Sequence, residues 1–299
     1  MVPVARADAR TPSAHDPEEL ERALARKSAE LLELEQLVEH MEQQSIRSAV
    51  RERDLAIARR IQSSLLPLRC SIPGWEIASR MQPSEDLGGD YFDIHVQQAG
   101  MWVSIGDVTG HGLSAGLVML MVQSGMASLV RALPEASPRE LLGPLNRMLF
   151  ENIRRRMGDD DHVTLSLLKF AQDGTVRFSG AHEEMIIWRA ATRGCERVPT
   201  PGVWLGARES IEALMSEGSL RLGAGDVLLL YTDGFTEAMN SARRQFGLTR
   251  LCETLERTAG TPVQAICDAL FEAAFAWSPN PSDDLSAVVI RRTADAGEG

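Results

Sequence analysis

With 299 residues, 44% of them hydrophobic and 24% charged, the chain can bury a large core and suits one sizeable domain with an extension. A formal charge of −11 argues against a nucleic-acid or anionic-membrane surface, since either polyanion would repel most of the exterior. Cys70, Cys195, Cys252 and Cys267 form no CxxC pair, so neither a zinc knuckle nor a disulfide framework is expected, and a reducing cytoplasm fits. No apolar run of about 18 residues is expected to span a membrane and the N-terminal residues lack an apolar signal-peptide centre, so the expected address is the cytosol.

Residues 1–16 are rich in Ala, Arg and Pro with little to bury, and read as a disordered tail, as do residues 293–299. Residues 17–66 contain neither glycine nor a second proline and are dense in Glu, Leu, Ala and Arg, which predicts one long helix with Pro17 in its first turn and Pro67 as its stop. Leu24, Leu31 and Val38 recur every seven residues, as do Leu34 and Met41, in the manner of a two-stranded coiled coil. Further on, Ile46, Val50, Ile57, Ile61 and Leu65 form a second, rotated stripe. A helix whose apolar face turns changes partner, and the expectation is a sister helix first and the body of its own domain second. The alternative is an exposed spacer with no regulatory role.

Residues 67–292 read as the main domain. Strands are predicted at 75–81, 91–97 and 101–105, the last two forming a hairpin around Gln98-Ala99-Gly100. A nearly all-apolar segment, 113–133, predicts a buried helix whose methionines are core filler. A second helix is expected over 138–157, with Arg154, Arg155 and Arg156 at its cation-favouring end. Strands follow at 162–170, 175–179 and 184–189, with Asp173-Gly174 as a hairpin turn. Residues 192–218, with Pro199, Pro201 and several glycines, read as an irregular surface flap. A core strand at 226–231, helices at 248–258 and 262–277, and a closing strand at 285–292 complete a non-alternating order that excludes a simple Rossmann pattern.

Four stretches carry the chemistry. Leu87-Gly-Gly-Asp-Tyr-Phe-Asp93 and Val103-Ser-Ile-Gly-Asp-Val-Thr-Gly-His-Gly-Leu-Ser114 each set a carboxylate beside glycines at the edge of an apolar run. In Leu228-Leu-Leu-Tyr-Thr-Asp-Gly-Phe-Thr-Glu237 a strand runs out into an Asp-Gly corner, and in Pro281-Ser-Asp-Asp-Leu-Ser-Ala-Val-Val-Ile290 an Asp pair opens a strand. In this order and spacing the four motifs resemble the metal-dependent serine/threonine phosphatases of the PPM superfamily, in the bacterial branch typified by SpoIIE and RsbU. The resemblance runs from about Ile57 to Arg292. It implies an α/β sandwich of two mainly antiparallel sheets flanked by helices, with metals at one edge.

Aspartates without accompanying His or Cys clusters suit hard divalent cations, Mg2+ or Mn2+. Two such ions would ionise a bridging water near neutral pH for in-line attack on phosphorus, with no covalent phosphoenzyme. The Cys-x5-Arg loop of a cysteine phosphatase and the GxxxxGK[ST] of a P-loop are both missing. By resemblance, Asp90 bridges both metals, Asp107 and the Val108 carbonyl bind the first, and Asp233 and Asp283 bind the second, with Asp284 as the fallback for Asp283. For each aspartate the alternative is a turn-former or cap at a strand end.

His111 is a candidate general acid or outer neighbour of the site. His182 occupies the place of an AGH motif whose continuation, Glu183-Glu184, departs from the family pattern, and it reads as a satisfied structural histidine. Asp93, Asp159, Asp160 and Asp161 read as solvated or turn residues. The resemblance further implies a phosphorylated anti-sigma-factor antagonist of the STAS type as substrate. The helix suggests a homodimer with an activator bound to it, and neither nucleic acid nor membrane is expected as a partner. Rival readings are a silent phosphatase-like scaffold and a hydrolase of small phosphoesters.

Overall fold

The computed structural model describes residues 17–65, 72–84, 87–97, 100–110 and 112–293. The N-terminal tail, residues 294–299 of the C-terminal tail, Pro67, Cys70, residues 98–99 of the first hairpin and His111 lie outside the described residues. Helix α1 spans Pro17–Leu65, and the chain divides into two compact units between Asp54 and Leu55. In the first unit Leu24, Leu31, Leu34, Val38 and Met41 are all exposed. In the second unit Ile57, Ile61 and Leu65 are exposed too, at 50%, 48% and 40%. These three therefore do not pack onto the domain body as the rotated stripe suggested. The residue buried from this stretch is Gln62, whose amide donates to Gly88 O at 2.8 Å; a carbonyl removed from water needs a donor, and an aliphatic side chain has none to offer.

The second unit runs in the order β1 (Trp75–Gln82), β2 (Tyr91–Gln97), β3 (Gly100–Val108), α2 (Gly112–Ala132) and α3 (Pro138–Phe150), which continues as a π-helical turn (Glu151–Met157). Then come β4 (Val163–Phe170), β5 (Thr175–Ala181), β6 (Met185–Arg189), β7 (Gly194–Val198), β8 (Glu217–Arg221), β9 (Val227–Tyr231), α4 (Asp233–Glu237), α5 (Gly247–Thr258), α6 (Val263–Trp277) and β10 (Leu285–Arg292). One sheet has the order β1-β10-β9-β6-β7 and the other β2-β3-β4-β5-β8, with every pairing antiparallel.

Period-two alternation sorts the side chains into three apolar layers. Leu228 and Leu230 of β9, Val288 and Ile290 of β10, and Met101, Val103 and Ile105 of β3 meet between the sheets. The alternate residues Val227, Leu229 and Tyr231, with Ala287 and Val289, face α5 and α6. Trp102, Val163, Leu165 and Leu167 face α2 and α3 on the other side. The result is a helix-sheet-sheet-helix sandwich, as expected. Helix α3 starts on a capping box in which Glu140 N–H donates to Ser137 Oγ and Ser137 N–H to Glu140 Oε2.

Several expectations are corrected. Helix α2 is long and apolar enough to cross a membrane, contrary to the reading that no such run exists; its Val118, Met119, Val122, Met126 and Val130 are buried in the layer beneath it. The predicted helix 138–157 changes to π geometry after Phe150 and stops at Gly158 in the left-handed region. The supposed flap contains a strand, β7, and runs into a second, β8, each at an edge of its sheet. The Asp233-Gly234 corner is the first turn of α4. Asp93 is buried inside β2, where its carboxylate accepts from Ile94 N–H at 2.8 Å and from the Gln123 amide at 3.3 Å.

Candidate metal centre

Asp90 directly precedes β2 and Asp107 is the penultimate residue of its neighbour β3. In the other sheet, Asp233 follows β9 after a single threonine and Asp283-Asp284 directly precede its neighbour β10. Antiparallel pairing brings the end of one strand beside the start of the next, so both pairs of carboxylates gather at one edge. The sheets are tied there by a hydroxyl: Thr232 Oγ1 donates to Asp90 Oδ2 at 2.8 Å and accepts Ser286 N–H at 3.0 Å.

The glycines explain how the backbone comes so close. A methyl group on Gly89 would lie 2.6 Å from the Val108 carbonyl and 2.9 Å from Asp107 Oδ1, while Val108 N–H donates to Gly89 O at 3.2 Å. A methyl on Gly88 would collide with the Asp284 carboxylate, and one on Gly234 with the Asp284 carbonyl. Only a residue without Cβ allows these approaches.

Burial and charge oppose each other at this edge. Asp90 is almost fully buried, and burial first, then Asp107 and Asp284, push its carboxyl well above the usual range. Asp107 is pushed up to about 8 by burial, then by Asp233, Asp283 and Asp284. Asp233 is raised by burial and then by Asp283 and Glu237. Glu183 is raised by burial and the field of Asp233. Carboxylates that raise one another's pKa are stabilised as anions by a cation among them.

The two members of the final pair differ. Asp284 is buried, and its Oδ1 accepts from Ser84 N–H at 2.7 Å and Ser84 Oγ at 3.0 Å. Asp283 is exposed, its Oδ1 accepts Asp284 N–H at 2.8 Å, and it lines a cavity of about 220 Å³ with Ser84, Phe275 and Pro281. Asp283 is thus exposed beside the cavity and its charge acts on Asp107, while Asp284 has one oxygen engaged by Ser84.

Among the described residues no three His, Cys, Asp or Glu side chains form a ready cage for one ion. Mg2+ and Mn2+ do not need one, since they keep several waters and bind through one or two carboxylates. All-oxygen donors, two glycine-made approaches to a backbone carbonyl, and carboxylates in mutual conflict fit such ions. His111 lies outside the described residues. His182 is half-buried, with Nδ1 2.9 Å from Thr164 Oγ1 and Nε2 3.1 Å from Tyr231 O, so both ring nitrogens are engaged away from the carboxylates. Thr232, Thr164, Ser84 and Gln62 were not singled out from sequence; the threonine beside Asp233 was the one legible hint, and the other three act across long stretches of chain.

The family profile described as Stage II sporulation protein E (SpoIIE) matches residues 97–293, about two thirds of the chain. The chain is 25% identical over 265 residues to phosphoserine phosphatase RsbU of Bacillus subtilis, covering 85% of this chain and 75% of RsbU. Its fold is similar to the SiaA-PP2C domain of Pseudomonas aeruginosa, with a TM-score of 0.68 at 18% identity over 83% of this chain and 98% of that one. It is also similar to the catalytic domain of the serine/threonine protein phosphatase PstP in complex with 2 manganese ions, with a TM-score of 0.56 at 14% identity over 74% and 99% of the two chains.

Proposed function

The chain belongs to the SpoIIE family, and from that premise we propose that it is a metal-dependent protein phosphatase that hydrolyses phosphoserine or phosphothreonine on a STAS-type anti-sigma-factor antagonist. The observation that carries the reading is the convergence of Asp90, Asp107, Asp233 and the Asp283-Asp284 pair, from two sheets, on one edge, where burial and the neighbouring carboxylates raise Asp90, Asp107 and Asp233.

Asp90, Asp107 and the Val108 carbonyl would hold one Mn2+ or Mg2+, and Asp233 with Asp283 a second, with Asp90 shared. When bound, the ions supply positive charge that makes a water nucleophile more acidic and offsets the charge on the phosphoryl oxygens. The chain's own part is to aim the carboxylates, whose ionised form the cations would favour. Thr232 fixes one oxygen of Asp90, leaving the other for a cation. Ser84 holds Asp284 back from the open side. The cleft beside Asp283 would take part of a phosphorylated loop. The exposed heptad leucines of α1 support a homodimer and an activator that acts through this helix.

The test is phosphate release from a phosphoserine STAS-domain protein with and without Mn2+, beside Asp107→Asn and Asp233→Asn. Metal-dependent release lost in both variants is the expected result. Release that persists in chelator, or in both variants, would overturn the reading.

A further inference from the structure

His182 follows β5, half-buried, with both ring nitrogens engaged. Tyr231 O can only accept, so Nε2 carries the ring proton and donates it over 3.1 Å. Nδ1 is then an acceptor and takes the single proton of the Thr164 hydroxyl, 2.9 Å away. The longer 3.3 Å contact of Thr164 Oγ1 with Asp107 O has no second proton to carry. Thr164 Oγ1 in turn accepts Asp107 N–H at 3.2 Å, in the register where Thr164 stands opposite Asp107. One directed chain of hydrogen bonds therefore runs from the Asp107 backbone through Thr164 and His182 to the Tyr231 backbone, two residues before Asp233.

This chain crosses from one sheet to the other, because Thr164 is in β4 and Tyr231 in β9. It joins the two strand ends that deliver Asp107 and Asp233, whose charges oppose each other. The backbone that carries the ring is itself fixed: the His182 backbone N–H donates to Thr200 Oγ1 at 3.1 Å, and that hydroxyl donates back to His182 O at 2.5 Å. Burial pushes the imidazole down to about 4, so it stays neutral and adds no positive charge of its own.

We propose that His182 is a positioning residue for the metal centre, a neutral clasp that sets the spacing between the β3 and β9 ends by joining Thr164 to the Tyr231 carbonyl. The inference rests on the metal-centre reading of Asp107 and Asp233. It reaches no reacting atom, so its signature is metal affinity: outer hydrogen-bond partners of metal sites typically matter by 10–100-fold in affinity or activity.

The experiment measures Mn2+ binding by titration calorimetry and thermal midpoint in chelator for the full chain and four variants. His182→Ala and Thr164→Val should each weaken Mn2+ binding about tenfold or more. His182→Gln, whose amide can donate to Tyr231 O and accept from Thr164, should recover part of the loss. Asp226→Asn breaks the ion pair with Arg189 at the opposite end of β9; it should lower the midpoint and leave Mn2+ affinity unchanged. If His182→Ala fails to fold, Thr164→Val and His182→Gln carry the test alone. Unchanged Mn2+ affinity in the folded clasp variants would overturn the proposal, leaving His182 an ordinary structural histidine. If the wild type itself binds no Mn2+, the metal-centre reading has failed, and the proposal falls with it for a separately identifiable reason.

Discussion

The carboxylate edge and the long helix depart from the usual rules of burial in opposite directions. At the edge, Asp90, Asp107 and Asp233 hold charge where desolvation and one another disfavour it. Along α1, Leu24, Leu31, Leu34 and Val38 present apolar surface to solvent. A folded chain normally avoids both conditions. Each therefore points to chemistry beyond the single chain, of opposite character: hard cations at the edge, an apolar partner along the helix. The edge is over-determined by hydrogen bonds and glycine approaches, whereas the leucines of the heptad stretch are exposed.

The largest expected effects test the first half of this contrast. Asp107→Asn and Asp233→Asn should each cut Mn2+-dependent phosphate release by more than the roughly hundredfold upper range of outer hydrogen-bond partners, as read by a phosphate-release assay. The same substitutions should raise the thermal midpoint in chelator, since each removes one of several repelling carboxylates. A fall in midpoint would mean that these groups do not oppose one another as described.

Gly234→Ala comes next. Its methyl would collide with the Asp284 carbonyl, a backbone atom with no rotamer to escape by. Overpacking of this kind costs about 1–3 kcal/mol, readable by denaturant titration, and should displace the start of β10. Thr232→Val keeps the shape but strips Asp90 Oδ2 of a donor and Ser286 N–H of an acceptor. Leaving buried partners unpaired costs about 1–3 kcal/mol, and the Mn2+ requirement should rise with it.

The pH dependence follows from Asp107. Its carboxyl is raised from 3.8 to about 8 in the folded state. Between those values the folded chain holds a proton that the unfolded chain has released. The associated stability is complete below about pH 4 and is lost as pH rises towards 8. In chelator the midpoint should therefore fall between pH 5 and pH 8, with a shallower slope in Asp107→Asn. An identical slope in the two proteins would remove Asp107 from the account.

The fold was legible where one face of an element had to be apolar. Strands β9 and β10 and helices α5 and α6 lie within two residues of their expected limits, because two buried faces make the strands short continuous apolar runs and one buried face gives the helices their spacing. Strands β7 and β8 were hidden for the converse reason. Gly194-Cys-Glu-Arg-Val198 and Glu217-Gly-Ser-Leu-Arg221 sit at sheet edges, mostly half-buried or exposed, and need no apolar alternation. At the site, the aspartates and glycines stood out as short motifs. The groups that orient them did not, because Ser84 reaches Asp284 across 200 residues and Thr164 meets Asp107 across 57. Sequence adjacency shows which groups do chemistry more readily than it shows which groups hold them.

The smallest expected effect on the catalytic unit tests the second half of the contrast. Leu31 and Val38 are seven residues apart and exposed, and with Leu34 they line a shallow groove flanked by Glu35, Glu39 and Glu42. Apolar residues at heptad spacing between acidic flanks suit a sister helix whose own leucines close the groove. Leu31→Asp combined with Val38→Asp places charge in that seam and should convert a dimer to a monomer in light scattering. Neither residue belongs to the unit that begins at Leu55. Its unfolding free energy should therefore stay within about 0.5 kcal/mol, the range of ordinary surface substitutions. A wild type that is already monomeric would break the comparison at its helical end, while a variant that stays dimeric would move the apolar partner to Ile57, Ile61 and Leu65.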